Sequence, residues 1–440
     1  EANFDGTPNK LSPLAQIYTA TKSNNEVFNL NEMLRQRDKM EFVKAMHQEV
    51  GAIFKEKIWK RVPRRLMDDY YRKEREKGVD VKRKQIMMIW SFKRKRKPDG
   101  TLDKHKARLC CHGGQQEWGV NYWDTYAPVV SWSSVRILMT LANLHDLHTK
   151  AVDFVQAYPQ AKVKATIFLK TPAGVILNSE GEEEMVLLLL KNLYGLRDGG
   201  LTWFEHLSKA LSDIGFTPTA SDPCVFIKGT NIIIMYVDDC VIISRSEGEA
   251  KEIFDEIEKK GLKLTDEGPM ETYLGLKIEK QEDGGFVISQ PFLIDRILDS
   301  IQGMQEASMC KTPAVTTAIL TKDKEGENRQ ENWNYRSVIG MLNYLVNCTQ
   351  PELSYAVHQC ARFANDPKRS HEQAVKRILR YLLYVKRSER MGINFSPERS
   401  KSMEILVDAS FAGDWNQAWS DELTSVMSRT GYVITYANCP

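Results

Sequence analysis

Ile232-Ile-Ile-Met-Tyr236-Val-Asp238-Asp239-Cys-Val-Ile-Ile243 is the stretch on which the reading of this chain turns. Two continuous apolar runs flank two residues, and both of those are Asp. Two residues between strands make a tight hairpin. Strands this apolar are buried on both faces or nearly so. The sequence therefore drives two adjacent carboxylates to the lip of a dry sheet. They repel one another, and burial raises the cost. Folding alone does not require such an arrangement, whereas a divalent cation seated there supplies the missing charge. An ordinary Asp-rich turn is the plain alternative, since Asp is a common turn residue.

A partner for the pair lies upstream. Asp153 ends the strand-like run Lys150-Ala-Val-Asp-Phe-Val155, again an acid among apolar neighbours, and Tyr158 follows five residues later. Three carboxylates from two strands are the minimum to hold two Mg²⁺, which prefers hard oxygen ligands and shares them with substrate phosphates. Two such ions clamp the attacking and leaving oxygens of a phosphoryl transfer.

The charge distribution points the same way. The 440 residues carry a net charge of only +3, but Lys82 to Arg108 holds eleven Lys/Arg against two Asp, which is +9 and leaves −6 elsewhere. Ile86–Lys95, the turn signal Pro98-Asp99-Gly100 and Lys104–Cys111 read as a hairpin. Lys104, Lys106 and Arg108 alternate and so share one face of its second strand. A solvated charged face is one reading; an element that contacts phosphates is the other.

Composition excludes several classes. At 42% hydrophobic and 27% charged the chain is globular, and the longest apolar runs are six residues, far short of the ~20 of a membrane span. The eight cysteines show no C-x-x-C spacing, and reduced, buried thiols are expected. Cys348, His358 and Cys360 lack a fourth ligand, so packing is their expected role. A first residue of Glu1 reads as part of a longer protein.

Periodicity organises the rest. Residues 1–35 read as a polar lead-in, 30–60 as helical, and 60–85 as a charged insertion or exposed loop. Helices are expected over Val135–Leu147, Leu201–Gly215 and Lys251–Gly261, with strands at Lys150–Val155, Val186–Leu190, Gly261–Leu264, Glu271–Glu279 and Phe286–Ser289. From 291 the pattern turns helical (292–301, 333–348, 351–364, 371–386), with Pro351 and Pro367 in the gaps. Strand character returns at 403–407 and 431–436. The fold class is α+β.

Several phrases then carry a family resemblance. Tyr236-Val-Asp-Asp239 resembles the Tyr-x-Asp-Asp signature of reverse transcriptases, and Asp153-Phe-Val-Gln-Ala-Tyr158 resembles the first catalytic motif of the same palm. Lys104-His-Lys-Ala-Arg-Leu109, Tyr126-Ala-Pro-Val-Val130, Leu193-Tyr-Gly-Leu196, Ser221-Asp-Pro-Cys224, Tyr273-Leu-Gly275, Tyr335-Arg336 with Gly340, and Lys376-Arg-Ile-Leu-Arg-Tyr381 follow in the order of copia-type (Pseudoviridae) long-terminal-repeat retrotransposons. The resemblance runs from about residue 29 to the end.

It implies a right-hand polymerase: a lead-in and helical extension over 1–85, fingers and palm with an antiparallel sheet over 86–290, a helical thumb over 291–388, and over 389–440 a linker with the truncated α/β start of a ribonuclease H domain. Asp153, Asp238 and Asp239 match the metal-holding carboxylates, for two Mg²⁺ with Mn²⁺ as a substitute. Tyr158 matches the aromatic gate beneath the sugar, where a ring against C2′ excludes a ribose hydroxyl. Arg108, with Lys106 and Lys93 behind it, fits the triphosphate, and Tyr194 the loop under the nucleotide. Tyr273 and Gly275 match the primer grip, and Gly340 and Tyr344 a track along the minor groove. Asp408 matches the first acid of the nuclease, whose later acids have no counterpart before Pro440. The implied partners are an RNA template, RNA–DNA hybrid, DNA primer-template and dNTPs, with a dimer or an integrase of the same polyprotein beyond them and no membrane. The implied setting is a cytoplasmic virus-like particle, with nuclear entry as a further step.

One departure stands out. Where the family commonly continues Lys-Gln-Ala-Pro-Arg, this chain has Arg197-Asp-Gly-Gly-Leu201. A catalytically silent nucleic-acid-binding remnant is therefore a second reading, and a metal-dependent nuclease built on Asp408 a third.

Overall fold

The structure is a computed structural model that describes residues 26–96, 102–175, 183–282, 284–315, 320–388, 391–412, 415, 417 and 427–440. The turn expected at Pro98-Asp99-Gly100 and most of the lead-in lie outside the described residues.

The long apolar runs build a six-stranded antiparallel sheet, with strand order Leu264–Pro269, His148–Phe154, Asp239–Ser244, Asn231–Tyr236, Val225–Lys228, Thr217–Pro218. Ile233, Ile234 and Met235, then Cys240 to Ser244, are buried without alternation. Both faces of these two strands are therefore covered, as their composition demands. Helices Trp132–Leu144, Gly199–Ser212 and Glu247–Lys259 fill this core with Val135, Leu138, Trp203, Leu207, Ile253 and Ile257. A second antiparallel sheet, Thr272–Tyr273, Leu276–Lys280, Phe286–Ser289 and Gly392–Phe395, joins the same core, and Phe286 stacks on Phe395 with ring centroids 4.8 Å apart.

The basic hairpin pairs Met88–Arg96 with Leu102–Cys111 in antiparallel register. Trp90, Phe92, Ala107 and Leu109 point inward and pack with Phe28, Met33, Phe42 and Ile53 from the preceding segment, where helix Lys39–Lys55 lies. Residues from Phe28 to Trp59 thus share one core with the hairpin across the division expected at residue 85. The stretch 60–85, expected as an insertion or loop, holds the strand Trp59–Pro63, paired with Met185–Leu189, and the helix Arg64–Glu76. Met67 and Tyr71, four apart on that helix, bury against Val62, Phe168 and Val186. The segment after 389 is likewise no plain linker, since Gly392–Phe395 is a strand of the second sheet.

Helices Pro291–Asp299, Tyr335–Cys348, Ser354–Ala361 and Arg369–Arg387 form a bundle. The longest buries Val375, Ile378, Leu379 and Leu382, a stripe with helical spacing. Met403–Ser410 and Arg429–Tyr436 form a separate two-stranded sheet. Ile405, Leu406, Val407, Tyr432 and Val433 along it are all exposed. All eight cysteines are free, and among the described residues no helix is long and apolar enough to cross a membrane.

One ion pair ties the N-terminal helices to the hairpin. Asp38 accepts two hydrogen bonds of 2.7 Å from the Arg94 guanidinium and lies 2.7 Å from His105 Nε2, while Arg94 also covers the Phe28 ring at 4.7 Å. The bidentate Arg94, with His105 beside it, holds the Asp38 carboxyl well below the usual carboxylate range. A carboxylate with a depressed pKa adds stability above its unfolded pKa and loses it as the pH falls through the folded value. Asp38→Asn should therefore lower unfolding stability by about 2 kcal/mol at pH 7. The gap between variant and wild type should narrow only below about pH 4, the unfolded carboxylate value. Urea unfolding of both proteins across pH checks this; a gap that grows on acidification contradicts it.

Candidate active site

The sheet brings the three aspartates to one edge. Asp239 opens its strand directly opposite Asp153 on the neighbouring strand and opposite Tyr236 across the hairpin. Asp238 is anchored through its backbone, because Phe154 N–H donates to the Asp238 carbonyl at 3.0 Å. The hairpin is tight, as expected, but its two turn residues are Val237 and Asp238, one position earlier than the Asp–Asp pair. Val237 takes the left-handed region at φ 56°, which a β-branched residue adopts at a cost of about 1–3 kcal/mol. Trp203, fully buried, holds it there: its indole N–H donates to the Val237 carbonyl at 2.6 Å.

The carboxylates are half-buried and crowded. Burial, then Asp238 and Asp153, with Glu267 adding, pushes Asp239 up to about 6. Asp153 is raised by burial, Asp238 and Glu267, while Lys106 and Lys95 act in the opposite sense. Glu267 is a fourth acid at this edge that sequence reading missed; it follows Asp266 at a bulge in the strand beside Asp153, and its carboxylate accepts from Thr265 Oγ1 at 2.8 Å. Among the described residues no three His, Cys, Asp or Glu side chains are already closed into a metal cage.

The basic hairpin turns its cationic face towards these acids. Lys93 lies opposite Lys106, Lys95 opposite Lys104, and Ser91 opposite Arg108. Lys93, Lys95, Lys104, Lys106 and Arg108 therefore share the face away from the Trp90–Leu109 core. Burial and the neighbouring Arg108, Lys104 and Lys95 push the Lys106 ammonium down, with Glu49 opposing. Arg94 points the other way and is held by Asp38, so it is not part of this face.

Between the two groups lie the tyrosines. The Arg108 guanidinium sits 4.4 Å over the Tyr194 ring, and Tyr194 and Tyr158 have ring centroids 5.1 Å apart. Cys111 N–H donates to the Tyr194 carbonyl at 2.7 Å, which ties this loop to the hairpin. Gly195 permits the approach, with φ 90° and a Cβ that would fall 2.2 Å from the Cys111 carbonyl oxygen. The divergent residues that follow are well held. Arg197 Nε donates to the Gly113 carbonyl at 2.8 Å, Gln116 bridges the Arg197 backbone and Asp198, and Gly199 opens the helix carrying Trp203.

The other expected residues divide. Leu274 and Gly275 are the central residues of a turn with φ 51° and 76°, the I′-like geometry. Tyr344, from the helix Tyr335–Cys348, donates to the Leu274 carbonyl at 2.6 Å and so joins this turn to the bundle. Gly340, one turn earlier on that helix, is exposed with open space around it. Tyr273 is not presented to the surface: it is buried in the central core, its hydroxyl without a partner among the described residues. Asp408 pairs with Gly431 in the separate two-stranded sheet, apart from the carboxylate edge.

A family model described as Reverse transcriptase (RNA-dependent DNA polymerase) matches residues 78–316, more than half of the chain. The chain belongs to the reverse transcriptase family. Its curated relatives identify the copia-type branch expected from the sequence phrases. It is 28% identical over 431 residues to the retrovirus-related Pol polyprotein from transposon TNT 1-94 of Nicotiana tabacum, covering 96% of this chain and 30% of that protein. It is 28% identical over 359 residues to the corresponding protein from transposon RE1 of Arabidopsis thaliana, covering 80% and 23%. The chain thus spans less than a third of the length of these relatives. Among solved structures it resembles the foamy viral protease-reverse transcriptase in complex with ds DNA, with a TM-score of 0.42 and 12% identity, covering 83% of this chain and 51% of that one.

The Trp203 contact allows a direct test of how the chain positions its carboxylate turn. Trp203→Phe keeps an aromatic ring in the core but shortens it and leaves the Val237 carbonyl without its donor, and should lower stability by about 1–3 kcal/mol. Amide exchange at 236–239 should accelerate in the variant. Unchanged exchange there would show that the turn is held by other contacts.

Proposed function

We propose that the chain is an RNA-directed and DNA-directed DNA polymerase that adds deoxynucleotides to a primer 3′-hydroxyl. The observation that carries this is the meeting of Asp153, Asp238 and Asp239 with an opposed face of five cations and two tyrosines in tilted contact. In this reading the six-stranded sheet is the palm, the basic hairpin with its packed helix the fingers, and the helical bundle the thumb. The primer oxygen bonds to the α-phosphorus of the nucleotide, and pyrophosphate leaves.

The acids suit Mg²⁺, a hard cation that takes carboxylate and phosphate oxygens together. The raised pKa values of Asp153 and Asp239 mark negative charge that the protein itself leaves uncompensated. Asp153, Asp238 and Asp239 would hold two ions, with Mn²⁺ as a substitute. When bound, these ions supply the Lewis-acid chemistry of phosphoryl transfer.

The remaining work belongs to the chain's own groups. Arg108, a rigid fork matched to phosphate oxygens, orients the triphosphate with Lys106 and Lys93. The Tyr194 ring fixes the Arg108 guanidinium from below. Tyr158 lies against the sugar and excludes a 2′-hydroxyl by volume. The Leu274–Gly275 turn, braced by Tyr344, offers backbone to the primer strand, and Gly340 leaves the thumb helix open to the duplex. Tyr344 therefore acts by positioning that turn, and Tyr273 acts from within the core. The substrates are an RNA or DNA template, a primer and dNTPs. Asp408 lies on the separate two-stranded sheet and takes no part in this polymerase site.

Primer extension on poly(rA)/oligo(dT) tests the reading. Asp238→Asn should slow extension by about a thousandfold, or ~4 kcal/mol of transition-state stabilisation, while hybrid binding stays within a few-fold. Activity within tenfold of wild type would overturn the assignment of the carboxylates. Tyr158→Val should cut discrimination against ribonucleotides by about tenfold or more with little loss of dNTP use. Matched single-nucleotide kinetics decide it, and an unchanged ratio places the gate elsewhere.

A further inference from the structure

Trp118, Trp123 and Tyr126 lie within nine residues of one another and are 72%, 51% and 79% exposed. Large aromatic side chains seldom face water without a partner, and their area is costly to leave there. The first of them is also firmly seated. Gly119 N–H donates to the Tyr122 carbonyl at 3.0 Å, Glu117 N–H to Asn121 Oδ1 at 2.8 Å, and Gln116 to the Asn121 carbonyl at 3.1 Å, so the turn that presents Trp118 is braced on both sides.

Cations stand beside these rings. The Glu117 carboxylate accepts the backbone N–H groups of Lys82 and Arg83 at 3.1 and 2.8 Å, which pins both residues next to Trp118. Both side chains are exposed, and among the described residues neither has an ion-pair partner. Arg197 covers the Tyr122 ring at 5.1 Å, at the foot of the same turn. Asp124 is the single acid between Trp118 and Ser131.

The patch is continuous with the active site. A Cβ on Gly200 would lie 3.4 Å from Ala127 and 3.7 Å from the Tyr158 hydroxyl. The segment with the exposed rings therefore borders the helix start against which Tyr158 rests.

We propose that Trp118, Trp123 and Tyr126, with Lys82 and Arg83, form a stacking platform for the unpaired template strand ahead of the active site. Exposed rings take bases of any sequence by their faces, and flanking cations take the phosphates, which is the pairing that single-stranded binding requires. A hydrophobic protein partner would leave Lys82 and Arg83 unexplained. The proposal rests on the polymerase reading for its place in the reaction, but binding can be measured without catalysis.

The experiment uses the full 440-residue chain and two labelled duplexes, one blunt and one with a 5′ template overhang of about ten nucleotides, within the span of single-strand binding sites. Trp118→Ala/Trp123→Ala should weaken binding of the overhang duplex about tenfold, the loss of roughly one stacked base, and leave blunt-duplex binding and thermal unfolding unchanged. Lys82→Ala/Arg83→Ala should make the slope of log affinity against log salt shallower by about 1.4 on the overhang duplex alone. Equal losses on both duplexes, or none on either, overturn the platform. So does a change in oligomeric state on removing the two tryptophans, which would make the patch a protein interface. If wild type binds the overhang selectively yet extends no primer, the platform stands and the polymerase reading falls. If wild type extends primers but the tryptophan variant keeps its overhang preference, the platform alone falls.

Discussion

Everything at the active edge depends on the backbone register that sets Asp239 opposite Asp153 and fixes Asp238 beside them. This placement is unfavourable in itself. Like charges are brought together in a half-buried position, and Asp153 and Asp239 respond with raised pKa values. The apolar strands around them supply the compensation, since uninterrupted burial of Ile233 to Met235 and Cys240 to Ile243 pins the register and leaves no alternative pairing. Stability here is spent on holding charge where it is least comfortable, as expected of a site built to gather cations and phosphates.

Two further devices serve the same edge. Trp203 stabilises the strained Val237 turn from beneath, so the helix that begins at the divergent Asp198-Gly-Gly segment reaches the carboxylates through one indole N–H. Tyr344 ties the Leu274–Gly275 turn to the helical bundle across 70 residues of sequence. The hairpin, in turn, is seated by the Asp38–Arg94–His105 cluster and by the Phe42–Phe92 core, leaving its cationic face free for the acids. The divergence at 197–201 is absorbed by hydrogen bonds and leaves Tyr158, Tyr194 and the aspartates in contact with one another's field.

Much of this was legible in the sequence because it depended on local pattern. Unbroken apolar runs announced the buried hairpin, and alternation of Lys104, Lys106 and Arg108 announced the cationic face. The turn was misplaced by one residue because Asp is a ready turn former and Val is not; a buried tryptophan 34 residues away reversed that preference. Residues 60–85 were hidden by their charge, although Met67 and Tyr71 already had helical spacing. Glu267 was invisible because a bulge, not a motif, brings it to the edge. Tyr273 was read as a contact residue from its motif, whereas its aromatic bulk was needed by the core.

Carboxylate repulsion is built into the fold and relieved by cations. Thermal unfolding in the presence of a chelator, compared with Mg²⁺, tests it most directly. An acid whose pKa is raised in the fold loses stability as the pH climbs through that range, so at pH 7.5 the cost is present in full. Asp239→Asn should then melt above wild type in chelator, and Mg²⁺ should raise the melting temperature of wild type more than that of the variant. A variant that melts lower in chelator, or a wild type indifferent to Mg²⁺, would contradict the account.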